Sequence, residues 1–383
     1  MAAIDTLLDK AVQAKASNVH FCTGAPPLMR LHGDLVRMTD EVVTFDMSKT
    51  LIMELLDARQ KEIVLKSCKE LDFSYKSTKN QRFRVNVYRQ RRGLDANFHV
   101  IPSRIPSLNE LGLPDIVREM CQLNQGLILV TGSSGTGKTS TLAAMIDLIN
   151  KTQKKHIITL EDPIEFVHEN KLCMVNQREV GYHCKGFATT LRQALRQDPD
   201  IILVGEMRDL ETISMAITAA ETGHLVLGTL HTLSASKTLD RIIDAFPGHQ
   251  RNQIRTMVSE SIRCIVCQNL LKTVDGKSRI LACEVLVGIA SISAQIRDAK
   301  TFQIPSIIQM SHSSGMHLMD EDLVRLLKAR KVSYDEALLH AHDPKYFTDA
   351  CKKANIGPHQ VEINVKGRSK KSSPRNWILQ KRG

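Results

Sequence analysis

The stretch "GLILVTGSSGTGKTSTLAAMIDLIN", residues 126–150, decides the fold. Its opening "GLILVTG" is an apolar run of the kind buried in parallel sheets, and "KTSTLAAMIDLIN" has apolar residues at helical spacing. Between them, "GSSGTGKT" (Gly132 to Thr139) matches the pattern G-x-x-x-x-G-K-[ST]. That pattern indicates a phosphate-binding loop when a strand precedes it and a helix follows it. The stretch therefore predicts a strand–loop–helix unit that binds a polyphosphate.

The residues of this loop are expected to play separate roles. The glycines let backbone N–H groups turn toward the phosphates, Lys138 reaches the β and γ phosphates, and the Thr139 hydroxyl ligates Mg²⁺. The cofactors predicted are ATP and Mg²⁺. The alternative, a plain Gly/Ser-rich turn, explains neither the strand before the loop nor the helix after it. The predicted nucleotide-binding residues are Gly132, Ser133, Ser134, Gly135, Thr136, Gly137, Lys138, Thr139 and Ser140.

The chain after Gly126 alternates between two patterns. The runs "HIITLED", "IILVGE" and "HLVLGTL" are typical of buried strands, whereas "FATTLRQALRQ" and "LETISMAITAAET" are typical of helices. Strands that alternate with helices predict an α/β fold with a doubly wound parallel sheet. After Pro247 the pattern predicts mostly helix.

A smaller α+β unit precedes this region. Residues 4–14 have helical spacing, and "RFRVNVYR" alternates apolar and polar residues as a strand does. The proline-containing "IPSRIPS" at 101–107 is a credible linker. We predict an N-terminal domain at 1–101, a linker at 102–112, an ATP-binding domain at 113–290, a helical region at 291–351 and a basic tail at 352–383.

Composition narrows the class of protein. Of 383 residues, 42% are hydrophobic but only 4% aromatic, which favours an aliphatic α/β core over an aromatic-rich β-sandwich. Nine scattered cysteines fit a reducing compartment better than a disulfide framework. The N-terminus lacks the pattern of a signal peptide, and no apolar run approaches the roughly 18–20 residues of a membrane span. We expect a soluble, cytoplasmic protein.

The net charge of +11 is unevenly distributed. From Lys352 onward there are nine Lys or Arg and one acid, Glu362, so this segment contributes +8. A groove that binds nucleic acid should place its basic excess on the folded body. A solvated, disordered tail is the simpler interpretation, and nucleic acid is not the expected partner.

Acidic residues follow two of the predicted strands, where α/β sheets place their ligands. The stretch "LEDPIE" supplies Glu161, Asp162 and Glu165, and "ILVGEMRD" supplies Glu206. Gly205 stands where many such strands carry an aspartate. We expect Glu206 to hold the magnesium ion through water and Glu165 to be the base for the attacking water. The alternative for any one acid is a capping or turn residue.

These stretches, together with "LRQALRQDPDIILVGEMRD" and "AAETGHLVLGTLHT", resemble the secretion-superfamily ATPases, and most of all the type IV pilus retraction motors. In that family they are the Walker A, Asp, Walker B and His boxes, and the resemblance covers residues 4 to about 340. It implies a PAS-like N-terminal domain, a RecA-like ATPase domain and assembly into a homohexamer. The implied function is ATP-driven pilus retraction and twitching motility, with an inner-membrane platform protein and a paralogous pilus ATPase as partners. Such a motor would be cytoplasmic and peripheral at the inner membrane.

The resemblance also assigns roles to basic residues. It implies that His231 senses the phosphates and that His224 acts near the same interface, whereas the alternative for each is an ordinary core histidine. Arg84 and Arg82 are the best candidates for arginine fingers, with Arg104 behind them. The family typically has "FR" where this chain has Phe98–His99, so one expected cation is weaker or missing.

Two rival functions stay open at this point. Pilus-assembly and type II secretion ATPases carry two C-x-x-C pairs that bind zinc, but here only Cys264 and Cys267 form such a pair, on an expected helix, with Cys283 further on. No zinc is therefore expected. A RecA-like nucleic-acid motor is the rival from another class, and steep, salt-dependent stimulation by single-stranded DNA would distinguish it.

One segment departs from the retraction branch. The family motif A-I-R-N-L-I-R corresponds here to "SISAQIR", residues 291–297, which lacks the arginine at Ser293 and the asparagine at Ala294. An accessory retraction ATPase, which hydrolyses ATP but retracts pili weakly alone, is therefore a further hypothesis. A tolerated change on a helix surface is the alternative.

Overall fold

The computed structural model describes residues 3–31, 33–66, 70–101 and 104–357. Two β-sheets organise these residues, one on each side of the predicted linker at 102–112. The α/β class predicted from the sequence is confirmed.

The first sheet is antiparallel and has the strand order β3-β2-β1-β6-β5-β4. In its "RFRVNVYR" strand, Phe83, Val85 and Val87 are fully buried, so Arg82 and Arg84 face the other way. The elements are β1 (Asn18–Phe21), β2 (Leu28–Leu31), β3 (Asp34–Arg37), β4 (Leu71–Lys76), β5 (Arg82–Gln90), β6 (Gly93–Ile101), α1 (Ala3–Gln13), α2 (Phe45–Leu55) and α3 (Ala58–Lys66).

The second sheet has seven strands in the order β13-β12-β7-β11-β10-β8-β9. All neighbours in it are parallel except β13, which pairs antiparallel with β12. The strands are β7 (Gly126–Thr131), β8 (His156–Glu161), β9 (Met174–Glu179), β10 (Ile201–Val204), β11 (Leu225–Leu230), β12 (Ile262–Lys272) and β13 (Arg279–Val287).

Helices cover both faces of this sheet. Successive residues of β7 point alternately into two cores: Leu127 and Leu129 pack into one, and Ile128 and Val130 into the other. The helices are α4 (Asp115–Met120), α5 (Lys138–Thr152), α6 (Phe187–Ala194), α7 (Leu210–Glu221), α8 (Ala235–Asp244), α9 (Arg251–Ser261), α10 (Ala290–Arg297), α11 (Ile304–Met310), α12 (Met319–Lys328), α13 (Tyr334–Leu339) and α14 (Pro344–Lys353).

The register of the parallel strands fixes where the site forms. Val204 pairs with Leu160 on one side and with Gly228 on the other, and Leu230 pairs with Thr131. The carboxyl ends of β7, β8, β10 and β11 therefore meet at one edge of the sheet.

The prediction of mostly helix after Pro247 is wrong for the stretch that contains the cysteine pair. Cys264 and Cys267 lie in strand β12, and because they are three residues apart they point into opposite cores. A strand buried on both faces reads as a continuous apolar run, which periodicity alone does not separate from a buried helix. The two thiols cannot ligate one ion.

The C-terminal helices form a separate core against β12 and β13. Helix α14 continues to Lys353 and buries Phe347 and Cys351, so the predicted tail overlaps its end. Most of that tail, including Trp377, lies outside the described residues. No helix in the described ranges has the length and apolar character that crossing a bilayer requires.

Candidate nucleotide-hydrolysis site

A cavity of about 940 Å³ lies between the polar face of the first sheet and the carboxyl ends of the second. The phosphate-binding loop and the start of α5 form one wall, and strands of the first sheet form the opposite wall. Residues predicted from the sequence that line it are Arg84, Ser134, Gly135, Gly137, Lys138, Thr139, Ser140, Glu165, Glu206 and His231. Thus most of the predicted site is brought together.

Close packing shapes the phosphate-binding loop. Gly132 has a φ of 142°, and a Cβ there would lie 2.4 Å from the Gln268 carbonyl oxygen of β12, so the position requires glycine. Ser133 and Thr136 face a smaller neighbouring cavity, and the Thr136 hydroxyl donates to the Ser133 carbonyl at 2.9 Å. Helix α5 begins directly after the loop, so its N-terminus points toward the cavity, where an anion is favoured.

Lys138 is held inside the loop. Its Nζ donates to the carbonyls of Gly132 and Ser133, at 2.8 Å each. Burial lowers the pKa of this lysine, and the nearby charge of Glu206 opposes that shift. Among the described residues, no carboxylate is in direct contact with this ammonium group. A phosphate can therefore take the place of the two carbonyls as its hydrogen-bond acceptor.

Two basic side chains hold the Glu206 carboxylate in the cavity. Its Oε1 lies 2.5 Å from Arg208 Nε and 2.9 Å from His231 Nε2. Burial by itself would raise the pKa of Glu206, but the hydrogen bonds and charges of Arg208 and His231 outweigh burial and hold it below the usual value. Glu206 is therefore ionised, and it lines the same cavity as the loop.

The structure explains why Gly205 stands before Glu206. A Cβ at this position would lie 2.9 Å from the Leu160 carbonyl oxygen on the neighbouring strand. The Gly205 carbonyl also accepts a hydrogen bond from the Thr229 hydroxyl at 2.5 Å. The backbone of β10 thus passes too close to β8 for an aspartate side chain.

Three acids from "LEDPIE" line the cavity, namely Glu161, Asp162 and Glu165, and the first and the last are in different environments. Glu165 Oε1 lies 3.9 Å from Arg84 Nη1, across the gap between the two sheets. Glu161 is buried, which raises its pKa to about 7; Thr159 and Gln177 donate to its Oε1 and counteract the shift, whereas Glu165 and Glu179 add to it. Near neutral pH, Glu161 can therefore hold or release a proton.

The structure does not bring His224 to the cavity. His224 precedes β11 and His231 follows it, so the strand separates them by about 20 Å. His224 Nδ1 lies 3.0 Å from the Ala219 carbonyl oxygen at the end of α7. Within this chain the two histidines therefore lie at opposite ends of β11, and the role of His224 near a subunit interface stays a prediction.

Of the three candidates for arginine fingers, Arg82 and Arg104 do not line the cavity. Arg82 Nη2 donates to Ser74 Oγ at 2.8 Å and to the Ile164 carbonyl at 3.1 Å, which ties the first sheet to the loop that carries Glu165. Arg104 pairs with Glu110 at 2.7 Å, and its side chain is 78% exposed. Only Arg84 of the three faces the cavity.

His99 is the cross-strand neighbour of Arg84 and also lines the cavity. Its ring is open to the cavity, yet the surrounding walls exclude enough water to lower its pKa. Glu165 acts in the opposite direction, and the charges of Arg84 and Arg279 lower the pKa further. At neutral pH this position therefore contributes no cation.

Arg208 and Arg279 both line the cavity, although neither was predicted from the sequence. Arg208 could have been found, because it comes two residues after Glu206 at the end of the same strand. Arg279 lies on β13, a strand that was not predicted, and it approaches the loop only through the pairing of β13 with β12.

A phosphate-binding loop between a buried strand and a helix, with acids at the ends of the neighbouring strands, defines a P-loop ATPase. The chain matches the family described as "Type II/IV secretion system protein" over residues 1–315. It is 44% identical to the type IV pilus retraction ATPase PilT of Pseudomonas aeruginosa over 344 residues, which cover 90% of this chain and 99% of that protein.

Two further proteins are similar over most of the chain. The type IV pilus ATPase PilU of Pseudomonas aeruginosa is 34% identical over 337 residues, covering 88% of each chain. A crystal structure of the pilus retraction motor PilT with bound ADP matches with a TM-score of 0.82 and 42% identity, covering 90% of this chain and 98% of that one. The chain belongs to the type II/IV secretion system protein family and is an ATP-hydrolysing enzyme of that family.

Proposed function

We propose that this protein is a motor that hydrolyses ATP to drive type IV pilus retraction and twitching motility. The observation that carries the proposal is the convergence of Lys138, Glu206 and His231 on one cavity, in a chain that is 44% identical to a pilus retraction ATPase over 90% of its length. A pilus-assembly or secretion ATPase is less well supported, because Cys264 and Cys267 point into opposite cores.

The residues present fit a nucleotide with magnesium. The cavity offers loop N–H groups and a lysine for phosphates, and the Thr139 hydroxyl and Glu206 carboxylate are the hard oxygen donors that Mg²⁺ prefers. Bound magnesium would neutralise charge that develops on the phosphates. Thr139 would ligate it directly, and Glu206 would hold it through water.

Different side chains of this protein would carry out different steps of ATP hydrolysis. Lys138 would turn from its two loop carbonyls to the phosphates, and Glu165 would take the proton of the attacking water. His231, hydrogen-bonded to Glu206, would report whether the terminal phosphate is present, because an imidazole can donate to either group. Arg84, beside Glu165, is the finger candidate that the cavity supports.

The proposal also covers how copies of this protein assemble and where they act. We infer a homohexamer that works at the cytoplasmic face of the inner membrane, against a pilus platform protein and together with a paralogous pilus ATPase. The basis is the similarity to PilT and PilU over nearly the whole chain.

Deleting the gene tests the direction of the motor. Cells without it are expected to carry excess surface pili and to lose twitching, because assembled pili are no longer withdrawn. The gene restored in trans should reverse both effects, whereas a Lys138→Ala copy should not. Cells that lack surface pili would contradict a role in retraction and would indicate an assembly motor.

An accessory retraction role is the second candidate, and α10 provides the observation for it. The Ser293 hydroxyl donates to the Ser259 carbonyl of α9 at 2.7 Å, where the family motif has an arginine. A short side chain tied down in this way cannot make an arginine's bidentate contacts with a partner. Full motility in a strain whose sole retraction ATPase is this protein would rule out the accessory role.

Replacing His99 by arginine is expected to raise the steady-state rate of phosphate release at pH 7.5 by about tenfold, part of the roughly 10³–10⁵ that an arginine finger can supply. The reason is that His99 is neutral at this pH, whereas arginine would place a permanent cation beside Glu165. As the pH falls through the lowered pKa of His99, its protonation restores the charge, so the ratio of the two rates should shrink.

His99→Asn serves as the control, since asparagine is uncharged at every pH and should lack the acid-side gain. A rate for His99→Arg at pH 7.5 that does not exceed the wild-type rate would refute the role of charge at this position.

A further inference from the structure

A cysteine, a histidine and an aspartate lie close together where strand β13 faces helix α12. Cys283 lies on this strand, His317 lies just before α12, and Asp322 lies on α12. One ligand atom from each lies within 4.8 Å of the other two, and no other such group of three or more occurs in the described ranges. Cys283 and Asp322 are buried, and His317 is half-buried.

The geometry points to a zinc-binding site formed by these three side chains, and we propose that the protein binds one Zn²⁺ there. Zinc bonds of about 2.3 Å to sulfur and about 2.0–2.1 Å to nitrogen, at a tetrahedral angle, separate the two ligand atoms by about 3.6 Å. Cys283 Sγ and His317 Nε2 are 3.6 Å apart. The carboxylate must close by at most about 1.4 Å to complete the same geometry.

The backbone holds the histidine in place. His317 forms a two-way bridge with Val285 of β13: its carbonyl accepts from the Val285 N–H at 3.0 Å, and its N–H donates to the Val285 carbonyl at 3.3 Å. This bridge fixes the loop before α12 against the strand. The imidazole therefore reaches Cys283 from an ordered backbone.

The carboxylate is oriented by hydrogen bonds that suit a metal ligand. The Cys283 N–H donates to Asp322 Oδ2 at 2.9 Å, and Arg325 Nε lies 2.5 Å from Oδ1. Donors behind a ligating carboxylate commonly fix its direction. Arg325 reaches Asp322 from solvent, with its side chain 60% exposed, and contacts only one of the two carboxylate oxygens.

Charge and ligand type favour zinc over magnesium or calcium. A thiolate and a carboxylate together balance a divalent cation, which allows it to be buried. Magnesium and calcium take oxygen ligands, whereas a sulfur, nitrogen and oxygen set suits zinc. Three protein ligands leave the fourth position of a tetrahedral zinc ion for a water molecule. Because His317 is half-buried, solvent has access to the site.

The proposed ion would join the C-terminal helices to β13, the strand that begins with Arg279. It differs from the expectation of a chain without zinc, which rested on the Cys264–Cys267 pair. It also differs from a four-cysteine site, because only one of its ligands is a thiolate.

Zinc titration of the full-length protein tests the proposal. The protein is stripped with a chelator and titrated with Zn²⁺ against a chromophoric competitor, with excess Mg²⁺ to occupy the hydrolysis site. We expect one Zn²⁺ per chain. Cys283→Ser and His317→Ala should each weaken binding at least about tenfold, the smallest loss that even outer-shell changes produce. The matched controls Cys351→Ser and His312→Ala should leave the affinity unchanged.

Cobalt provides a readout that does not depend on a folded variant. Co²⁺ bound to the wild-type protein should show a thiolate charge-transfer band, and one equivalent of Zn²⁺ should remove it. Equal zinc affinity in wild type and Cys283→Ser, or a folded wild type without the cobalt–thiolate band, would overturn the proposal.

Discussion

Lys138→Ala is expected to lose ATP binding and to release phosphate at least about 100 times more slowly than the wild-type protein. Lys138 Nζ is directed by two carbonyls into the loop at the start of α5, where the phosphates would lie. Alanine removes this cation from a partly buried position, where water compensates poorly for its loss. Nucleotide binding by fluorescence and steady-state phosphate release measure the two effects.

Lys151→Ala is the matched control for that change. Lys151 lies near the other end of α5 and pairs with Asp147 at 2.6 Å, away from the cavity. It should bind and hydrolyse ATP as the wild type does. Phosphate release near the wild-type rate in Lys138→Ala would be incompatible with the proposed site.

Glu206→Gln is expected to keep ATP binding within a few-fold while lowering turnover by about 10²–10³. Glutamine preserves the shape of the side chain but removes the charge that Arg208 and His231 stabilise. Lys138 contacts the phosphates in the ground state, whereas Glu206 positions water and metal for the transition state, so the change should affect turnover and spare binding.

Glu211→Gln controls for the loss of a Glu–Arg pair as such. Glu211 pairs with Arg192 at 2.8 Å, and both side chains are more than half exposed. Its turnover should match that of the wild type. If Glu206→Gln lost nucleotide affinity in parallel with turnover, Glu206 would be a binding residue and its assigned role would be wrong.

The sequence predicted the P-loop and the two acidic strand ends because their signals are local. A glycine-rich loop between an apolar run and a helical run carries its meaning within a dozen residues. Parallel strands then align their carboxyl ends, so Glu206 and His231 had to approach each other once both strands were identified.

Contacts made through distant pairing could not be predicted in this way. The role of Arg279 depends on the register of β13 against β12, and the loop's need for glycine at Gly132 depends on the Gln268 carbonyl of β12. The separation of His224 from His231 required knowing which end of β11 faces the loop. Similarly, Cys283 and His317 are 34 residues apart, and the bridge to Val285 helps to bring them together.

The Arg82 guanidinium has a mechanical consequence. It bonds Ser74 in its own sheet and the Ile164 carbonyl in the second domain, one residue before Glu165. A turn of the small domain therefore pulls directly on the segment that carries the candidate base. One guanidinium thus couples the position of the first sheet to the position of the Glu165 segment.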